Sequence, residues 1–186
     1  MEKERIIIGI DPGTRVMGYG VIKQQQRQVS LLQYGVIHLH QYTTHEHKLK
    51  KIFERTLSLM NDFLPDEIAL EAPFYGRNVQ SMLKLGRAQG VAMAAALIRE
   101  VPLTEYAPKK VKQAVTGHGS ASKEQVAHML MKLLHFEEVP KLLDASDALA
   151  VAVCHAYQRE QTHNRPTNWR HFIAENSERV HHPVGK

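Results

Sequence analysis

Arg5-Ile6-Ile7-Ile8-Gly9-Ile10-Asp11-Pro12-Gly13-Thr14 is an apolar, β-branched run that drives straight into a carboxylate and a turn. Such a run favours a buried strand, and Asp-Pro-Gly is turn chemistry. The pattern recurs in shorter form at Ile68-Ala69-Leu70-Glu71. A strand that carries an acid into low-dielectric surroundings needs compensation, because a buried unpaired carboxylate costs on the order of several kcal/mol. Two more acids, Asp144 and Asp147, stand three residues apart far downstream. On a helix that spacing puts both on one face, about 5 to 6 Å apart at Cβ. Four acids that converge would be compensated most simply by a divalent metal ion. Each also has an ordinary explanation: a tight turn for Asp11, an exposed strand end for Glu71, and a helix cap and first turn for Asp144 and Asp147.

Outward from the first strand, Tyr19 to Lys23 and Val29 to His38 predict two more strands in an antiparallel meander. Leu49, Phe53, Leu57, Met60 and Leu64 follow helical spacing from Thr44 until Pro65. Ile68 to Glu71 predicts a fourth strand, and a long helix follows from about Val79 to Glu100. Leu103 to Tyr106 predicts a fifth strand, then a short basic helix from Pro108 to about Val115. Ser122 with Gln125 three residues on is a capping-box signature opening a helix to Leu134. The last helix runs from Asp144 to about Arg159. Three strands followed by alternating helix and strand imply an α/β fold, a mixed five-stranded sheet with helices on both faces.

A length of 186 residues suits one domain with a tail. No apolar stretch is long enough to span a bilayer and the N-terminus carries no leader pattern, so a cytoplasmic protein is expected. Cys154 has no cysteine to pair with and sits in an apolar run, as a small core hydrophobe does.

The net charge of +5 is unevenly spread. Lys plus Arg against Asp plus Glu is nine to nine over residues 1–73, nine to three over 74–134, and six to seven over 135–186. The central excess is either a solvated helix face or a surface for a polyanion. A nucleic acid backbone approaching a carboxylate cluster needs both a metal and flanking positive charge. Twelve histidines are present, but none is paired at zinc-ligand spacing with a cysteine or a further ligand, and no structural zinc is expected. His118, between two glycines, is a candidate to face DNA.

Ile8 to Thr14 with Gly18-Tyr19-Gly20, Leu70-Glu71 with Phe74, Leu83-Lys84-Leu85-Gly86, Lys112-Gln113, Gly117 to Lys123, and Asp144 to Ala150 occur in that order. Together they resemble the RuvC family of Holliday junction resolvases over about residues 5–160. The resemblance implies a ribonuclease H-like nuclease domain over residues 1–160, a homodimer, and metal-dependent cutting of four-way DNA junctions in recombination and repair, leaving 5′-phosphate and 3′-hydroxyl nicks. It implies Asp11, Glu71, Asp144 and Asp147 as ligands of Mg²⁺, with Mn²⁺ as a substitute. Asp11 would bridge two ions per subunit, about 3.5 to 4 Å apart in sites of this kind. Asp144 occupies a position that varies in the family. Lys112 and Lys123 match lysines near the cleaved phosphate, and Phe74 matches an aromatic that contacts junction bases, although packing beside Pro73 is its plainer role. Arg77 and Lys84 are further candidates for DNA contact. The RuvA and RuvB branch-migration proteins are the implied partners.

The long helix is apolar on more than one side, which fits either a covered central helix or a dimer interface. Residues 161–186 match no part of the family pattern and have no sustained period; a largely disordered tail is expected, or one that docks on a partner. Two rival functions remain open on sequence. Sugar kinases and actin-like ATPases share an acid-Gly-Thr turn after a first strand, but they need a second domain to close on nucleotide. A junction-binding scaffold without catalysis would not need all four acids.

Overall fold

The computed structural model describes residues 4–73, 78–136 and 143–162, with side chains as far as residue 158. Phe74, Arg77 and the chain from residue 163 onward lie outside the described residues. The elements follow as β1 (Arg5–Asp11), β2 (Val16–Gln25), β3 (Gln28–His38), α1 (His45–Phe63), β4 (Glu67–Glu71), α2 (Val79–Ile98), β5 (Leu103–Tyr106), α3 (Pro108–Thr116), α4 (Lys123–Leu134) and α5 (Leu143–Thr162). The strands form one five-stranded sheet in the order β3-β2-β1-β4-β5. β1 pairs antiparallel with β2 and parallel with β4, and β5 joins β4 in parallel, so the sheet is mixed as expected.

Alternation along the strands decides what each face receives. Ile8 and Ile10 of β1, Met17, Tyr19 and Val21 of β2, and Ile68 and Leu70 of β4 pack into one core with Ile52, Leu59 and Met60 of α1 and Ala88, Ala92 and Ala96 of α2. Ile7, Ile22 and Ala69 point the other way, into a second core with α3, α4 and the buried run Leu149 to Cys154 of α5. Asp11 and Glu71 share the parity of Ile7 and Ala69, which aims both acids at the face that α5 covers. That face of β1 and β2 carries glycines where α5 crosses. A Cβ on Gly9 would stand 2.1 Å from the Ala148 carbonyl oxygen, so only a bare backbone lets the helix lie this close.

The expected capping box is present, and a second side-chain cap joins it. Thr44 caps α1 by accepting from the His47 amide at 3.3 Å. Ser122 and Gln125 close the capping box at α4, with the Ser122 amide donating to Gln125 Oε1 at 2.8 Å. Two boundary shifts bear on the site. β2 reaches from Val16 to Gln25, beyond the predicted five residues, because its whole length is paired with β1 or β3. α5 starts at Leu143, which puts Asp144 inside the first turn rather than at the cap. No helix among the described residues is long and apolar enough to cross a membrane.

Candidate active site

Asp11 ends β1, and Glu71 ends the neighbouring strand β4. Because these strands run parallel, both acids emerge at the same edge of the sheet. α5 crosses this face with its first turn at that edge, directed by small residues beneath it. Gly18, the cross-strand neighbour of Asp11, lies under the Asp144 backbone. The result is that Asp11, Asp144 and Asp147 each offer a carboxylate oxygen, all within 4.8 Å of one another. Three of the four predicted acids therefore form one tight group. Glu71 stands outside that group but remains electrically coupled to it.

Burial and the charge of neighbouring acids make Asp11 and Glu71 reluctant to ionise. Asp11 is pushed up from 3.8 to about 8, first by loss of solvent and then by the charges of Glu71, Asp147 and Asp144, with Lys123 pulling the other way. Glu71 rises from 4.5 to about 7, again by burial first and then by Asp147, against the opposing pull of Lys123 and Lys112. Lys123, the first residue of α4, forms an ion pair with Asp147. Burial draws its ammonium down, but the hydrogen bond and charge of Asp147, then Asp11 and Asp144, outweigh that and hold it above its usual value.

The donor set is all oxygen and anionic, which suits a hard divalent cation such as Mg²⁺ or Mn²⁺ and suits zinc poorly. A divalent cation among these oxygens would favour the ionised form of Asp11 and Glu71, which burial and neighbouring acids oppose. Among the described residues this is the one group of three or more potential ligands close enough to share an ion. The histidines among the described residues do not belong to it.

Lys112 is not a free cation at the acids. Its ammonium donates to the Ala121 carbonyl at 2.7 Å, tying α3 to the loop that leads into α4 and Lys123. Lys84 lies exposed on α2. His118 is exposed in the loop between α3 and α4 and lines a cavity of about 640 Å³ with Ser120, His128 and Lys132 on the outer side of α4.

The sequence reading missed the polar cluster at the opposite end of β4. Glu67 accepts from His155 Nε2 at 2.5 Å and is paired with Arg5 at 3.4 Å, while the Tyr106 hydroxyl meets His155 Nδ1 at 2.8 Å. Arg5 Nη2 also donates to Gln24 at 2.6 Å. The available signal was an acid and a histidine inside otherwise apolar elements. The predicted strand began one residue too late to include Glu67.

A ribonuclease H-like sheet with an acid at the end of its first strand and a pair of acids on its last helix defines a class of metal-type nucleases and related enzymes. Comparison with known proteins narrows the class. The family described as crossover junction endodeoxyribonuclease RuvC matches residues 7–155. The RuvC of Cytophaga hutchinsonii is 61% identical over 177 residues, spanning 95% of this chain and 88% of that protein. The RuvC of Bacteroides fragilis is 56% identical over 182 residues, spanning 96% of this chain and 97% of that one. Among solved structures, T. thermophilus RuvC in complex with Holliday junction substrate superposes with a TM-score of 0.79 at 35% identity, covering 85% of this chain and 97% of that chain. This chain belongs to the RuvC family of crossover junction endodeoxyribonucleases. The kinase-like alternative falls with that result, since one family match runs from β1 through the acid-Gly-Thr turn and into α5.

Proposed function

We propose that this protein resolves four-way (Holliday) DNA junctions in recombination and repair by paired, metal-dependent hydrolysis of phosphodiester bonds, leaving 5′-phosphate and 3′-hydroxyl nicks. The observation that carries this reading is the meeting of Asp11, Asp144 and Asp147 within 4.8 Å at the end of the first strand of a RuvC-family chain.

Asp11, Asp144 and Asp147 would hold Mg²⁺, or Mn²⁺ in its place, with Glu71 completing a set for two ions per subunit. When bound, the metal supplies a lowered pKa for the attacking water and positive charge for the departing 3′ oxygen. The chain's own part is mainly preorganisation. Its rigid strand ends and the opening turns of α5 fix the carboxylates before substrate arrives, so little reorganisation is needed during the reaction. Lys112 and Lys123 add positive charge beside the acids, where it can offset charge growing on the phosphoryl oxygens. Water is the nucleophile, so no bond between protein and DNA forms.

Phe74 is the side chain assigned to stack on opened junction bases, with Arg77 and Lys84 on the DNA backbone. A junction is cut on two opposed strands, which calls for two copies of the site. Exposed Val79, Leu83, Leu97 and Ile98 on α2, with open space over Gly86 and Gly90, support a homodimer along that helix. The same reading makes residues 1–160 the nuclease domain and 161–186 a separate tail, places the protein in the cytoplasm, and names RuvA and RuvB as its branch-migration partners.

Incubation with a synthetic four-way junction, a linear duplex and an RNA–DNA hybrid, each with Mg²⁺ or with chelator, tests the proposal. Paired nicks in the junction alone, and only with metal, are the expected result. Binding without cutting would identify a scaffold, and cutting of all three substrates a general nuclease.

A further inference from the structure

Lys123 has two calls on its charge. It is the candidate for the scissile phosphate, yet its ammonium is already engaged by Asp147, one of the three aspartates that gather at the cluster. The engagement is specific in position. Lys123 is the first residue of α4 and Asp147 lies in the opening turns of α5, so the pair joins two helices across the mouth of the site. The Asp147 side chain is 15% exposed and that of Lys123 50%, so the acid is fixed in the site while the lysine can leave it for solvent. The base of the lysine is held as well. Ser122 caps α4 through the reciprocal Ser122 and Gln125 bonds, and Lys112 grips the Ala121 carbonyl just before it. What remains mobile is the four-carbon stem of Lys123, with an ammonium that moves as a point charge.

We propose that Lys123 is the internal counter-ion of the carboxylate cluster, holding Asp147 until a divalent cation takes its place, and so sets how tightly the site takes metal. The inference rests on the metal-site reading given above. A cation that enters between Asp11, Asp144 and Asp147 supplies two positive charges where Lys123 supplied one, and it directs them from inside the group. The ammonium then loses its partner and faces a positive centre. Its remaining attraction is to an anion outside the group, which on a loaded site is the DNA phosphate. One lysine thereby serves two states: it limits repulsion among the acids while the site lacks metal, and it becomes available to substrate only once metal is present.

The test is calorimetric titration of the DNA-free protein with Mn²⁺, together with metal-free melting curves. Lys123→Met should bind Mn²⁺ about fivefold more tightly than wild type, since the cation no longer displaces a half-exposed counter-ion. Its metal-free melting temperature should fall below that of wild type, and saturating Mn²⁺ should bring the two curves together. Lys123→Arg, which keeps the charge, should stay near the wild-type affinity. Equal or weaker binding by Lys123→Met overturns the proposal, as does tightening by Lys123→Arg to the same degree. Asp11→Asn titrated in parallel separates the two layers of the argument. If it takes Mn²⁺ as well as wild type does, the cation sits elsewhere and the metal-site reading itself fails.

Discussion

Gly18 lies directly beneath Asp144: a Cβ on Gly18 would stand 2.0 Å from the Asp144 carbonyl oxygen. Gly18 is also the cross-strand neighbour of Asp11, so one backbone contact fixes the separation between the first-strand acid and the last-helix acids. Gly18→Ala should therefore lift the start of α5 off the sheet. A displacement of about 1 Å at a reacting centre can reduce rate by about a hundredfold, whereas overpacking of this kind costs about 1 to 3 kcal/mol of stability. Single-turnover cleavage at saturating protein should fall by about a hundredfold while junction affinity changes little. A variant that cuts at the wild-type rate would show that α5 shifts without moving Asp144 and Asp147.

This contact marks where sequence reading reached its limit. The succession of elements, the mixed sheet with helices on both faces and the three clustered acids were legible, because β-branched runs, helical periodicity and acids at element ends are local signals. The spacing of Asp144 and Asp147 was legible for the same reason. That Gly9 and Gly18 exist to admit α5 was not, since a glycine in a strand does not name the distant backbone that approaches it. Nor could the sequence give the bond from Lys112 to Ala121, or the links joining Arg5, Glu67, His155 and Tyr106. These depend on which elements meet across the sheet, and no local pattern encodes them.

Asp11→Asn should abolish cleavage yet stabilise the metal-free protein at alkaline pH. The Asp11 carboxyl is raised from 3.8 to about 8 in the folded state. Its favourable contribution to stability is full below pH 3.8 and is lost as pH rises through about 8, so ionised Asp11 works against folding above that point. Asparagine removes that penalty. At pH 9 without metal the variant should melt at least about 3 °C above wild type, roughly 1 kcal/mol for a domain of this size. At pH 5 the difference should shrink, and Mg²⁺ should reverse the order at pH 9. Junction binding without metal at pH 9 should be unchanged or stronger, because there one negative charge facing phosphate is gone. Loss of binding in parallel with cutting would instead assign Asp11 a role in holding DNA.

Lys112 and Lys84 should separate kinetically. The Lys112 ammonium is bound to the Ala121 carbonyl at 2.7 Å, so Lys112→Ala loosens the loop that places Lys123 as well as removing charge near Glu71. Cleavage by Lys112→Ala should fall about 10- to 100-fold with junction affinity nearly intact, if the charge acts on the transition state more than on the ground state. Lys84→Ala, on the exposed side of α2, should change only salt-dependent binding. Rates at saturating protein and affinities across a salt series distinguish these outcomes. Wild-type cutting by bound Lys112→Ala would make Lys112 a phosphate-steering residue with no part in the chemical step.

His155 should make the protein sensitive to acid from the end of the sheet remote from the aspartates. Its ring is neutral in a consistent tautomer: Nε2–H donates to Glu67 at 2.5 Å and Nδ1 accepts from the Tyr106 hydroxyl at 2.8 Å. Burial, and then the nearby Arg5 charge, lower its pKa from 6.5 to about 4. A lowered histidine pKa means that the unfolded chain binds the proton first. The contribution of neutral His155 is therefore full above pH 6.5 and is lost as pH falls through about 4. His155→Phe fills much of the same space but takes a donor from Glu67 and an acceptor from Tyr106. It should cost about 3 kcal/mol at pH 7, lowering the melting temperature by roughly 6 to 12 °C. The variant should also lose part of the wild-type decline in stability between pH 6.5 and 4, read from melting curves of both proteins across that range. A stable His155→Phe variant with the full acid sensitivity of wild type would assign that sensitivity to other groups, the carboxylates among them.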